Sequence, residues 1–588
     1  MQVRGCTTQK IGFFFSAGLI AGLAALPAIA GTPAALDHVP ADAQAVFVVS
    51  NLGETLNELN AINAMSGQQG GAMVMMMTSM VRGMPGIDLD GSVAVVFEFV
   101  DGQEEPEGVV LVPVSDFAAL SDGMPLNDGV VSMPMGGDMM YFRDAGGGYA
   151  VLGDSDARVR AFDSSSGNLK AHAALLGKAG GRIADGNDVF VYVNFDGFKD
   201  EIAMGMQGME AQGEMIEMMG GAEAVAGFDA MMSVVQTIAN DGASFVMGVN
   251  FDEEVGVGFD AGLQFKDGST SASYLQNNGD AGKYFSNVPA MDYFFASAFD
   301  ISGSGIQKML GGYMEMIQKF DTTGQMIPAG MSTLMGDVKG GIQVMGASDN
   351  IMGGLFSKTM YYMEVKDADA YLDATQTMYS NMNEQMKELA QVGVKVNASM
   401  DAEPTEINGV DAYGYSFAMD MSGMDMGGGM GGPNPAMILG MIFGADGGPS
   451  GYMAKVGNGI AATLSKDADF FSQVAQGASG ENTMAGNASI AQTAAMLPSN
   501  RIMETYLAAD HLVNTAGPML MMFGVIPEFE PLGALAPVGI GMTADGGGVM
   551  FRTIVPMETI GAVMEMIPAD AMGGGHGGGG DGSDEMDF

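Results

Sequence analysis

The chain has 588 residues, with 90 Gly, 58 Met, one Cys, no Trp, and 70 acidic side chains against 23 Lys and Arg. A hydrophobic share of 47% excludes a wholly disordered chain. A net charge of −47 argues against any broad phosphate-neutralising surface, so neither nucleic acid nor anionic lipid is an expected partner.

Residues 1–30 read as a cleavable signal peptide. Arg4 and Lys10 precede an apolar stretch, Ile11 to Leu26, and Ala28-Ile29-Ala30 fits the small-x-small cleavage pattern ahead of Gly31. Cleavage removes Cys6, leaving no disulfide, thiolate nucleophile or thiolate metal ligand. The expected location is periplasmic or extracellular. No later apolar run approaches the ~20 residues of a spanning helix; Ala436 to Gly444 comes nearest.

From there the chain repeats itself. A strand, a polar turn and an amphipathic helix occur at Ala45 to Asn51, with Leu52, Leu56, Leu59 and Ile62 on the following helix. The phrase returns at Asp188 to Asn194, at Asp292 to Ser297 and at Met503 to Ala508. Each copy is followed by a pair of strands: Ser92 to Val100 with Gly108 to Val114, Ser244 to Phe251 with Val255 to Phe265, Gly341 to Ala347 with Lys358 to Val365, and Val538 to Thr543 with Val549 to Val555. A third hairpin and helix occur once per half, at Met139 to Phe162 and at Tyr452 to Ala475. The alternating strands predict an α+β fold of tandem-duplicated antiparallel sheets, with helices packed on one face in split β-α-β-like units. The two halves fall at 31–286 and 287–570, with a Gly/Met-rich insertion at 419–450 and a Gly-rich acidic tail at 571–588 expected to be disordered.

Val39-Pro40-Ala41-Asp42 running into Val46-Phe47-Val48-Val49, the phrase around Val114-Ser115-Asp116-Phe117, the strand Gly148 to Leu152 and the segment Tyr506 to Leu512 together resemble a family of exported bacterial proteins, domain-of-unknown-function type 3352. That resemblance implies no activity and no site residue.

Catalytic signatures are sparse. His38, His172, His511 and His576 are scattered, with no pair at metal-ligand spacing. Ser302-Gly303-Ser304-Gly305 has the composition of a nucleophile elbow without its spacing, and Gly256-Val257-Gly258 imitates a dinucleotide fingerprint inside a strand. Asp88-Leu89-Asp90-Gly91 and Asp581 to Glu585 each lack the full ligand set of a calcium loop. No catalytic residue and no cofactor is expected.

Methionine stands out, at 58 residues against about 30 Leu. In the helical clusters, Met73 to Met84 and Met204 to Met232, it reads as a flexible replacement for Leu. In the insertion, Met419, Met421, Met424, Met426 and Met430 alternate with Asp and Gly, and such thioethers suit Cu(I) binding or reversible oxidation. The expected function is therefore a non-enzymatic binding or scaffold protein of the bacterial envelope, with an envelope protein or an amphiphilic ligand as partner. The alternative is a Met-rich Cu(I)-binding or oxidant-buffering protein.

Overall fold

The computed structural model describes residues 32–566 apart from 66–70, 100–105, 136–137, 200, 209–227, 229–230, 253–254, 277–278, 321–333, 335, 348–353, 386–394, 421–439, 441–442, 444–447 and 523–527. In the first half β1 (Ala45–Val49), α1 (Leu52–Met65) and α2 (Gly71–Gly83) precede the hairpin β2 (Val93–Glu98) and β3 (Glu107–Pro113). Then come α3 (Phe117–Leu120), β4 (Leu126–Asn127), β5 (Val130–Met135), β6 (Asp138–Gly146), β7 (Tyr149–Gly153), α4 (Asp156–Ala161) and α5 (Leu169–Gly186). β8 (Val189–Asn194), β9 (Gly242–Asp252), β10 (Gly256–Phe265) and α6 (Thr270–Tyr274) complete it.

The second half opens with β11 (Tyr293–Asp300), α7 (Ser304–Phe320), β12 (Val338–Gly346), β13 (Thr359–Val365) and α8 (Ala368–Gln385). β14 (Lys395–Met400), β15 (Thr405–Ile407), β16 (Val410–Asp420), β17 (Ser450–Val456) and β18 (Gly459–Thr463) follow, then α9 (Ala468–Ala478) and α10 (Ala488–Met496). It ends with β19 (Met503–Leu507), α11 (Ala509–Met522), β20 (Val538–Asp545), β21 (Gly548–Pro556) and α12 (Met557–Met566).

The class is α+β, and the strands form one continuous antiparallel sheet instead of separate sheets. Its spatial order is β4-β5-β6-β7-β3-β2-β1-β8-β9-β10-β21-β20-β19-β11-β12-β13-β18-β17-β16, with β14 and β15 beyond β16. Read inward from either end, β5-β6-β7-β3-β2-β1-β8-β9-β10 corresponds strand for strand to β16-β17-β18-β13-β12-β11-β19-β20-β21.

The register carries the correspondence to single residues. Val46 faces Tyr192 as Ala296 faces Tyr506. Tyr192 faces Val246 as Tyr506 faces Gly539, and Val246 faces Gly262 as Gly539 faces Ile554. Counting two residues back, Asp260 and Arg552 are equivalent, and they pair directly with each other across β10 and β21. A pseudo-twofold axis therefore passes between them. The ladder closes there because Gly256, at φ +137°, leaves room for the Val555 carbonyl, which would lie 2.1 Å from a Cβ.

Helices lie on both faces, where the split unit implies one. Phe190 and Tyr192 face α5 in a core with Leu176, Ala179 and Ile183, whereas Val189, one residue away, packs with Leu56 of α1 and Val81 of α2. In the second half Tyr362 and Ala461 share a core with Phe471 of α9 and Ile490 of α10, while Met363 and Ile460 pack with Tyr371 and Leu372 of α8. Both strand faces are apolar in sequence, so each acquires helices. α5 kinks at Gly177 (φ +58°), and its second turns run beneath β9, β10 and β21, across the axis.

The outer strand β14 is protected by a side chain. Asn383 of α8 donates Nδ2 to the Ala398 carbonyl at 2.6 Å and accepts from the Ala398 amide at 2.7 Å, occupying the edge groups that a foreign strand would use. Asn383→Ala is expected to leave Tm within about 2 °C but to make the protein associate at concentrations where the wild type stays monodisperse. Light scattering against concentration reads this, and unchanged scattering contradicts it.

Candidate functional site

The covered face of the junction is occupied by ionic contacts. The Asp260 carboxylate is buried; it accepts Nε of Arg552 at 2.8 Å, a second guanidinium bond, and Nδ2 of Asn187 at 2.7 Å. Nearby, Asp545 of β20 accepts Arg182 of α5 at 2.9 Å and pairs with Lys178. Gln264 donates to the carbonyls of Phe265 and Gly546 at 3.2 and 3.1 Å. The pairs Asp260–Arg552, Arg182–Asp545 and Lys178–Asp545 and the bond from Gln264 to the Gly546 carbonyl join the first half to the second.

The opposite face is built differently. At one end of β9, β10 and β21, Leu56, Val81 and Ile560 from α1, α2 and α12 pack on Phe251 and Val257. At the other end, Ala272, Ile306 and Leu310 from α6 and α7 pack on Phe265, Ala544 and Val549. Between these two clusters, among the described residues, the sheet face carries partly exposed apolar side chains, and this strip is called the trough. Phe259 is 43% exposed, Phe551 40% and Met247 47%. Ala261 lies opposite both Met247 and Phe551, and Phe259 lies opposite Thr553.

The floor obeys the same pseudo-twofold. Phe259 is equivalent to Phe551, Met247 to Ile540 and Ala261 to Thr553, so the two halves contribute matched apolar side chains. The helical segments that follow β1, β8, β11 and β19 carry further exposed methionines: Met75, Met80, Met204, Met231, Met309 and Met521. Thioethers on unbranched side chains make an adaptable apolar surface.

Acidic side chains gather behind the wall formed on Phe251. Asp188, which precedes β8, accepts the Phe251 amide at 3.0 Å. Burial, with added repulsion from Glu54 of α1 and Asp252 of β9, pushes its carboxyl up to about 6. A carboxyl raised above its unfolded value contributes stability that is complete below pH 4 and lost as pH rises through 6. Asp188→Asn keeps the acceptor for Phe251 and removes the charge. It is expected to gain about 3 kcal/mol at pH 7.5, from roughly 1.4 kcal/mol per pK unit over a rise from 3.8 to about 6, and to approach the wild type as pH falls below 4. Urea unfolding at the two pH values measures the difference; an equal gain at both would contradict it.

Among the histidines, His38 contacts the Ser164 carbonyl through Nδ1 at 3.0 Å and lies beside the Tyr149 ring. His172 is fully buried, with Nε2 3.0 Å from the Val39 carbonyl and Nδ1 2.7 Å from the Tyr192 hydroxyl; burial lowers its pKa, giving a neutral structural ring. His511 is half-buried on α11, and His576 lies outside the described residues. Ser302 is held by Asp300 at 2.6 Å ahead of α7. Asp88 spends its carboxylate on the Asp90 amide at 3.1 Å in a local turn. Among the described residues no group of three or more His, Cys, Asp or Glu side chains could hold a metal ion, and no helix is long and apolar enough to cross a membrane.

Of the proposed thioether ligands, Met421, Met424, Met426 and Met430 lie outside the described residues, and Met419 is placed only by its backbone in β16. The insertion leaves the sheet between β16 and β17, where the first half has only residues 136 and 137 between β5 and β6. Sequence reasoning missed Phe259 and Phe551. Alternation in Gly258-Phe259-Asp260 gave their side of the strand, but whether that side is covered depends on helices far away in the chain. Comparison with protein-family models, with curated proteins and with solved structures gives no match to this chain.

Proposed function

We propose that this is a non-enzymatic exported protein of the bacterial envelope that holds an amphiphile in the junction trough, apolar chain on the sheet and head toward the acidic side chains behind Phe251. The observation that carries the reading is the matched pair Phe259 and Phe551, exposed on a sheet floor between two helical walls. Large apolar side chains gathered in one concave place favour binding over simple solubility. The carboxylates of Glu54, Asp188 and Asp252 and the net charge of −47 select a zwitterionic or cationic head and repel an anionic one. Export rests on the sequence of residues 1–30, and the likeness to the exported family rests on its sequence phrases alone.

Isothermal titration with single-chain amphiphiles that share one acyl chain tests the reading. A phosphocholine or quaternary ammonium head is expected to bind with one-site stoichiometry below the critical micelle concentration, and a phosphoglycerol head at least tenfold more weakly. Equal affinity for the two heads overturns the electrostatic part. No heat with any of them overturns the trough as a site.

A further inference from the structure

A second concavity lies outside the trough. α2, α3 and β5 enclose a cleft of about 610 Å³ lined by eleven residues, four of them methionines: Met80 and Met84 near the end of α2, Met124 beyond α3, and Met133 in β5. With 58 Met in 588 residues, eleven positions drawn at random would hold about one. The four come from three separate chain segments, so the helical run of methionines does not explain their meeting. Val81, next to Met80, points into the trough wall instead, so α2 serves two sites from adjacent positions.

We propose that this cleft binds a soft monovalent cation, Cu(I) or its analogue Ag(I), through methionine thioethers. The proposal is independent of the amphiphile reading. Neutral sulfur donors select soft d10 cations over Mg, Ca and Zn, which take oxygen, nitrogen or thiolate. Asp122 is the single acidic side chain of the lining and supplies the one negative charge that a monovalent ion needs nearby. The strongly acidic molecule as a whole concentrates cations. Met80 is 41% exposed, and Met124 and Met133 are half-buried, so their sulfurs can turn toward an ion at little packing cost, while Met84 stays anchored against Val114 and Leu120.

The test uses the full chain with Met419, Met421, Met424, Met426 and Met430 replaced by Leu, so that the insertion contributes nothing. Cu(I) is titrated against a bicinchoninate competitor, and the bound ion is examined by X-ray absorption. One equivalent with a sulfur-only shell is expected; Met80→Leu, Met124→Leu and Met133→Leu should each weaken it at least tenfold, and Met124→Leu and Met133→Leu, which lie away from the trough, should leave amphiphile binding unchanged. Because Leu preserves volume, thermal unfolding of the single variants should match the parent, and Met80→Leu alone suffices if the others unfold early. No tight equivalent in the parent, a nitrogen or oxygen shell, or unchanged affinity in all three variants overturns the proposal.

Discussion

Arg552→Ala is expected to cost about 3–5 kcal/mol of folding stability, as is usual when one partner of a buried ion pair is removed. The Asp260 side chain has no solvent exposure, so truncation leaves a buried carboxylate with Asn187 as its remaining named donor. The position gives the experiment a second arm. Because Asp260 and Arg552 are equivalent residues meeting on the pseudo-twofold axis, exchanging them returns nearly the same geometry viewed from the other half. The double variant Asp260→Arg with Arg552→Asp is therefore expected to recover at least half the loss, whereas Asp260→Arg alone places two guanidinium groups face to face and should be the least stable of the set. Denaturant unfolding of the four proteins measures this as a coupling energy. Additive losses, with no recovery in the exchange, would mean that the pair does not act as a pair.

An ancestor made of two identical blocks would set the same side chain against itself at this point. Opposite charges there require that the two copies differ in sequence. They favour the pairing of unlike halves over like ones, a choice made by repulsion as much as by attraction.

The second large effect concerns the trough. Phe259→Ser with Phe551→Ser is expected to weaken amphiphile binding about 30-fold, and to cost about 2–4 kcal/mol of folding stability from the part of each ring already packed on the sheet. Each ring keeps about two-fifths of its surface in water. Covering that remainder supplies about 1 kcal/mol per ring, from roughly 1.5–3 kcal/mol for a fully buried large apolar side chain. Two rings give about 2 kcal/mol, and about 1.4 kcal/mol is tenfold in affinity. Titration calorimetry on the double variant reads the loss. The covered-face substitutions at 260 and 552 should change stability and spare affinity, whereas the floor substitutions should lower both.

Much of the architecture was legible because the strands obey a period of two and recur. Val46 to Val49, Phe190 to Val193 and Thr505 to Leu507 lie in strands where alternation placed them, and their hairpin partners follow. The outer strands were harder to see. β5 contains Ser132 and Pro134, and β16 is interrupted by Asp411, Gly414 and Ser416, so neither shows a continuous apolar pattern. α5 hides in Gly-rich sequence, with Gly177, Gly180 and Gly181; Gly177 and Gly180 let it approach Gln264 and Val246 closely. Continuity of the sheet had no local signal at all: Gly256 meets Pro556 across three hundred intervening residues, roughly, and nothing near either one announces the other. The site was invisible for the same reason, since its floor is shared by strands from both halves.

The most direct test of a trough at the axis uses the absence of Trp from the chain. Phe551→Trp puts a single indole on the floor, and its emission is followed while a phosphocholine amphiphile is added below its critical micelle concentration. The account predicts a saturable blue shift whose midpoint moves to about fivefold higher amphiphile when Phe259 on the other half is also changed to Ser. Emission that stays at the wavelength of a water-exposed indole throughout the titration would contradict it.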